Sequence, residues 1–400
     1  MNKILTSVEI TKDNAASDYL RFKYNDNSYQ EYRITTGKPK TCTTYGGELD
    51  KGERKICKGD RVYYLIENDE QISVRCNFTE DCNNFICCIF LIDAYFHGKN
   101  FSDAMFDRAI FNEGVNFSHV TFNDKVSFTK AQFIKSAVFI MAEFNKETNF
   151  DHARFNKNVD FSGVKFSGEV NSVKTIFNGS VDFDTITTTI TTTGSSSKTT
   201  TTPPSFSKKV DFTSAIFNNV LNFSGVKNID IDLKHVIIDR IEYGNVEFKS
   251  DNRETFLTLK NVALKQRDQI KALEFHTQEY QTHFKNLEWT KEDRGNKFIL
   301  GFEYLVSVFG TSIGRALIVF LILIISSYFL LFILVGCGDL TVQGFVHFSS
   351  PVNYNLTTIF GSNITIGFFA GFVFIAYKIL QFAMIYEVVK SFRKFSRTTL

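Results

Sequence analysis

The sequence predicts a mainly β chain: a four-sided β-coil that stacks into a solenoid, closed by a C-terminal helical cap and followed by two transmembrane helices. Three observations carry that prediction. A phenylalanine recurs every five or six residues from Phe96 to Phe166 and resumes after a gap, residues 252–291 form an amphipathic stretch without proline or glycine, and Ala316 to Val335 is an uncharged apolar run with a second apolar stretch beyond it.

Phenylalanine is the compositional anomaly, with 44 residues against 4 prolines, 4 methionines and 1 tryptophan. A repeated slot that accepts one shape explains such an excess better than an ordinary core. The rings fall at Phe96, Phe101, Phe106, Phe111, Phe117, Phe122, Phe128, Phe133, Phe139, Phe144, Phe150, Phe155, Phe161 and Phe166, then at Phe177, Phe183, Phe212, Phe217 and Phe223. Two residues before most of them stands Ala or Val, as in Ala104, Ala109, Val115, Val120, Val126, Ala131, Ala137 and Ala142. Neither a 3.6-residue helix nor a period-two strand gives this beat. A four-sided coil does: each side is a short extended segment with both slots pointing inward, and each corner is a turn. Asn112-Glu113-Gly114, Asn123-Asp124 and Ser162-Gly163 suit corners. One coil cannot bury its rings, so coils must stack, roughly 4.8 Å apart. The regular sixth residue predicts a bulge at one corner, and the stretch holds four to seven coils. Phe101, Phe106, Phe111, Phe117, Phe122, Phe128, Phe133, Phe139, Phe144, Phe150, Phe155 and Phe161 are read as a structural core ladder. His119, Asp151 and His152 are read as solvated surface.

Stretches such as AMFDRAIFNEGVNFSHVTF and VDFSGVKFSG resemble the pentapeptide-repeat family, clearly over 96–183 and 206–223 and loosely over 72–95 and 224–250. The resemblance implies a right-handed quadrilateral β-helix. The six-residue steps, and Phe where many members carry Leu, are similar to the Phe-rich branch of that family.

Residues 1–72 read as a small β-rich segment before a repeat domain at 73–250. Its start, MNKILTSVEITKDNAASDYL, has no apolar run of signal-peptide length. Seven cysteines, Cys42, Cys57, Cys76, Cys82, Cys87, Cys88 and Cys337, form an odd set with a vicinal pair, which predicts reduced thiols in a cytosolic setting. Cys42, Cys57, Cys76 and Cys82 lack the close pairs of structural zinc sites, so no metal is expected. Residues 185–204, TITTTITTTGSSSKTTTTPP, lack apolar content and predict a disordered insertion between coils.

Residues 251–297 predict one long or broken helix, with Phe256, Leu259, Val262, Ala263, Ile270, Leu273, Tyr280, Phe284 and Leu287 at mostly helical steps, covering the open end of the solenoid. His276 and His283, seven apart with Glu279 between, lack the closer pair and third ligand of a metal set. The membrane domain, 298–400, begins with an apolar stretch, Phe298–Phe309, interrupted by Glu303, read as interfacial. Transmembrane helices follow at 316–335 and at about 356–377 or 364–386, the latter with Lys378 snorkelling from one end. Lys285, Lys291, Arg294, Lys297 and Arg315 flank the first span, and Lys390, Arg393, Lys394 and Arg397 follow the second. The loop 336–355 has neither Lys nor Arg. The positive-inside rule then puts both termini in the cytoplasm, with the chain a multi-pass protein of the inner cell membrane. LEFHTQEYQTHFKNL, FGTSIGRALIVFLI and VVKSFRKFSR are similar to the tails of bacterial membrane-anchored pentapeptide-repeat proteins.

Val335–Asp339, VGCGD, looks like a potassium-channel filter with Cys337 where an aromatic stands. The run before it is one span long and cannot supply both a span and a pore helix, which favours a glycine-containing exit turn. Gly367 and Gly371 have the spacing of a helix-packing pair and make a homo-oligomer possible. Between Phe96 and Phe223 stand 12 acidic and 13 basic residues. With a formal net charge of +2 overall, this excludes a DNA-mimicking field and a nucleic-acid partner. No GxSxG, P-loop, HExxH, dinucleotide loop or CxxC pair is present. The expected function is therefore a non-enzymatic, cofactor-free scaffold or protein-binding rod facing the cytosol, with the lipid bilayer and an unknown protein as partners. The alternative is an oligomeric transport or channel-like component built on the two-helix hairpin.

Overall fold

The computed structural model describes residues 3–12, 18–37, 53–58, 61–66, 73–75, 85–86, 88–91, 93–191, 197–290, 292–335, 340–361, 364 and 367–396. Cys42, Cys76, Cys82, Cys87, Cys337 and the Gly336–Asp339 part of the filter-like motif lie outside them. The chain divides into two compact units, 1–266 and 267–400.

The first unit opens with an antiparallel sheet of β1 (Leu5–Lys12), β2 (Asp18–Tyr24), β3 (Tyr29–Gly37), β4 (Glu53–Lys58) and β5 (Arg61–Ile66), ordered β1-β2-β3-β5-β4. A register shift between Leu5 and Ser7 turns Leu5 to the same side as Val8. Leu5, Val8, Leu20 and Phe22 then pack on Ile89, Ile110 and Ile134 of the next element.

From Ser73–Arg75 to Glu247–Lys249 the chain winds as a β-solenoid of about seven turns. Each regular turn spends 22 residues on four two-residue strands, all paired in parallel with the next turn: Ile110 opposite Gln132, Val115 opposite Ala137, Thr121 opposite Glu143, Val126 opposite Thr148. Apart from Phe101–Phe106, the five-residue steps contain a hydrogen-bonded turn, as where Ala109 N–H donates to Phe106 O at 3.0 Å. Its third residue is left-handed, so Gly98, Arg108, His119, Lys130, Met141, His152, Gly163 and Lys174 all have positive φ. The six-residue steps are open bends whose amides bond to the neighbouring turn, as Asn112 N–H does to Phe90 O. The expected bulge is therefore not the device. The sixth residue lengthens a bend that recurs in every turn, so the strands stay in register. In the ladders a shift occurs between Phe217 and Val220.

Strand spacing dictates ring spacing. The twelve ladder phenylalanines form four stacks: Phe101–Phe122–Phe144, Phe106–Phe128–Phe150, Phe111–Phe133–Phe155 and Phe117–Phe139–Phe161, with centroids 4.4–5.4 Å apart within a stack. Neighbouring stacks meet edge to face or tilted, as Phe106 and Phe117 do at 5.4 Å and 82°. None of the twelve is more than 5% exposed. Phe85 and Phe90 extend two stacks at 4.7 and 4.6 Å. The final turn fills the slots with Leu233, Ile238, Tyr243 and Phe248 and shortens its step, since Ile216 pairs with Ile237 but Leu221 with Ile241. That is why the beat fades after Phe223.

The Thr/Ser insertion differs from expectation. Ile186–Thr191 and Ser197–Thr202 pair as an antiparallel hairpin through six residue pairs. β-Branched threonines favour extended backbone even without a core to bury. At its root Gly163, with φ +65°, lies under Ile186 and Thr202; a Cβ there would come within 3.0 Å of Ile186 Cγ1.

Helix α1 (Arg253–Lys265) covers the last turn. Asn252 caps it, Phe256, Leu259, Val262 and Ala263 are buried, and Thr255 Oγ1 accepts from Leu233 N–H at 3.0 Å. Gln266 accepts from Ile241 N–H at 3.1 Å and donates to its carbonyl at 2.9 Å, completing a strand edge. The helical stretch breaks at Arg267, with φ 63°.

The second unit contains α2 (Gln269–Asn286), α3 (Arg294–Ser307), α4 (Ile313–Val335), α5 (Val342–Ser349), α6 (Leu356–Phe360) and α7 (Phe368–Ser396). The second long apolar helix thus starts at Phe368, later than either sequence boundary, because α6 ends at Gly361 with φ 90°. By length and composition two helices could cross a membrane, Ile313–Val335 and Phe368–Phe392.

Candidate functional surface

Rings fill the solenoid interior. A cavity of about 20 Å³ sits where Ser172 takes the place of a phenylalanine between Phe150 and Phe212. That is room for about one water. Among the described residues no group of three His, Cys, Asp or Glu side chains could hold a metal.

Each outer face is a set of columns with one residue per turn. One column runs Ile89, Ile110, Gln132, Arg154, Ile176, Ile216, Ile237. The N-terminal sheet covers its first part: Asn112 Oδ1 accepts from Val8 N–H, and Asn156 Nδ2 donates to Leu5 O at 2.7 Å. Beyond it, Arg154 is half-buried with no carboxylate partner among the described residues, and burial lowers its guanidinium from the usual arginine range. Ile176 and Ile216 are half-buried and Ile237 is 61% exposed. Beside them an amide row holds the edge straight, with Asn178 donating to Asn156 at 3.3 Å and Asn218 to Asn178 at 2.8 Å.

An adjoining face carries the column Asp160, Asp182, Asn222, Glu242. Burial, then the charges of Asp160, Asp184 and Glu242, push the Asp182 carboxyl above the usual range, against the pull of the Asn222 hydrogen bond. His119 and His152 stand exposed at left-handed corners, and Asp151 accepts from Val173 N–H at 2.8 Å.

Residues 128–171 match a family described as pentapeptide repeats, in nine copies. The matched stretch is the part of the chain where the pentapeptide-like beat is most regular and the ring stacks are unbroken. No curated protein and no solved structure matches the chain.

The second unit has a different surface. Only 22% of the most apolar 18-residue stretch of the first long helix, and 33% of that of the second, is buried. Ile318, Leu321, Ile322, Ile333, Phe368, Phe369, Phe372 and Ile379 are exposed. Positions Gly367 and Gly371 have nothing within 4 Å of where a Cβ would stand. Glu303 of α3 does not face outward. It accepts from Lys390 Nζ at 2.8 Å, and Lys390 also reaches Glu387 at 3.5 Å. Ser307 Oγ donates to Glu387 at 2.7 Å, so α3 is tied to α7. Lys378 does not snorkel: the residue is 2% exposed and its ammonium donates to the carbonyls of Phe348 and Ser350.

Proposed function

We propose that this protein is a membrane-anchored, non-enzymatic scaffold. Its right-handed, four-sided solenoid faces the cytosol and binds a protein partner; α4 and α7 cross the inner membrane, with both termini cytoplasmic. The observation that carries the binding role is the outer column Arg154, Ile176, Ile216, Ile237. It combines an arginine with no carboxylate partner among the described residues and adjacent aliphatic side chains on a ladder of paired strands, the mixture favoured at protein interfaces. The partner surface it fits presents a carboxylate beside apolar groups. The exposed apolar bands on α4 and α7 support anchoring.

A photo-crosslinking residue at Asn218, in intact membranes, tests the binding role. A recurrent partner that is lost in the Arg154→Ala, Ile216→Lys double variant supports the reading. Unchanged capture in that variant removes this face from it. The alternative of an oligomeric transport component is tested by conductance of the reconstituted chain.

A further inference from the structure

The segment joining α4 to α7 does not stay at their ends. Tyr328 lies seven residues before the end of α4, about 10 Å along its axis, yet its hydroxyl donates to Thr341 O at 3.0 Å. Phe360 stacks on the same Tyr328 ring at 5.3 Å. Lys378 lies ten residues inside α7, about 15 Å from its start, and it and Gln381 meet the far end of α5. If α4 and α7 span the membrane, as proposed above, α5 descends to about the middle of a hydrocarbon core roughly 30 Å thick. Its descent beside α6 requires Gly344, where a Cβ would stand 2.2 Å from Ile359 O.

A helix C-terminus at that depth presents carbonyl oxygens with the negative end of the helix dipole. Here each is met. Lys378 Nζ lies 3.0 Å from Phe348 O and 2.7 Å from Ser350 O, and Gln381 Nε2 lies 2.6 Å from Ser349 O. The ring centroids of Phe348, Phe374 and Tyr377 lie 5.5, 5.4 and 5.5 Å from the ammonium. Phe348 is itself stacked on Tyr377 at 4.4 Å. Among the described residues no carboxylate forms an ion pair with Lys378. Two carbonyls, a helix C-terminus and a wall of aromatic rings are the chemistry of a site for a small organic cation.

We propose that the C-terminal end of α5 and these three rings form a primary-ammonium site within a re-entrant segment, and that Lys378 is its tethered occupant. The site takes a cation of alkylammonium class when the lysine is shortened, and is closed to free cations while Lys378 fills it.

The test uses the full chain in detergent. Lys378→Ala should lower the thermal midpoint by about 5 °C or more, since two buried carbonyls lose their donor. Methylammonium should restore it with a saturable concentration dependence, while tetramethylammonium, which has no N–H to donate, should not. No loss in Lys378→Ala, or a loss that methylammonium leaves unchanged, overturns the site. If that variant does not fold, wild-type chain treated with an amine-acylating reagent decides. Lys378 should react at least tenfold more slowly than exposed lysines such as Lys260 and Lys265, and equal rates overturn the proposal. Membrane insertion is read separately, by resistance to alkaline carbonate extraction. Release by carbonate ends the anchoring reading and the re-entrant depth, while rescue by methylammonium would still establish the cation site.

Discussion

At Phe133 the ring lies between Phe111 at 4.8 Å and Phe155 at 4.4 Å, and it is fully buried. Phe133→Asp removes a stacked ring, costing about 3–5 kcal/mol, and puts a carboxylate into a space with no donor. The first unit should lose its cooperative circular-dichroism transition, while His152→Ala should leave it within about 0.5 kcal/mol. A folded Phe133→Asp protein would refute the inward assignment. Ser172 offers the opposite case. Its cavity of about 20 Å³ has room for a methyl or two and not for a ring. Ser172→Val should therefore stabilise by about 1 kcal/mol, and Ser172→Phe should do worse than Val. Asp182 gives a pH-dependent case. Its folded-state pKa is raised by burial and by the acids above and below it, so the folded protein holds that proton longer than the unfolded chain. Stability is unaffected below the unfolded value near 3.8, and is lost as pH rises through the folded one. Asp182→Asn should match wild type in urea unfolding at pH 3 and exceed it at pH 7. Equal midpoints at both would contradict the shift.

Elements show what one sequence makes legible. The five- and six-residue beat was readable because a stacked interior accepts only a ring or a small side chain at each inward slot. The left-handed corners were not, because Arg108, Lys130, Met141 and His152 share no chemistry. Hydrogen bonds between turns set that backbone, as where Arg108 N–H donates to Thr129 O at 2.8 Å, and the side chain merely follows. The hairpin at 186–202 was hidden because its threonines read as low complexity. The outer column at Arg154 was equally hidden, since only the stacking of turns brings Arg154, Ile176, Ile216 and Ile237 side by side. The tie between α3 and α7 is non-local in the same way, since Glu303 and Lys390 are 87 residues apart. Glu303 and Glu387 share one ammonium there, with side chains no more than 20% exposed. Lys390→Met would leave two carboxylates facing each other. It should cost about 3 kcal/mol, read as a lower thermal midpoint in detergent, and Glu303→Gln in the same chain should recover part of the loss.

For the whole molecule the deciding question is which solvent α4 and α7 meet. Leu321, Ile322, Ile325, Phe329 and Ile333 of α4 are all exposed. In water, burying one such side chain elsewhere would gain about 1.5–3 kcal/mol, so five left bare on one helix favour aggregation or a nonaqueous surrounding. The two environments respond oppositely to charge. Lysines at Ile322 and Ile325 would improve the solubility of a water-facing helix and leave its fold alone. On a helix that enters a bilayer, each would cost about 2.5–3.5 kcal/mol near the centre, enough to reverse insertion of a span whose apolar residues each contribute less than 1 kcal/mol on the same scale. The full chain carrying Ile322→Lys and Ile325→Lys should therefore move from the carbonate-resistant pellet to the soluble or aggregated fraction. The same two lysines at Lys260-adjacent exposed positions of α1, such as Asn261→Lys and Leu264→Lys, should leave the chain in the pellet. Equal partitioning of the two double variants would mean that α4 does not enter the bilayer.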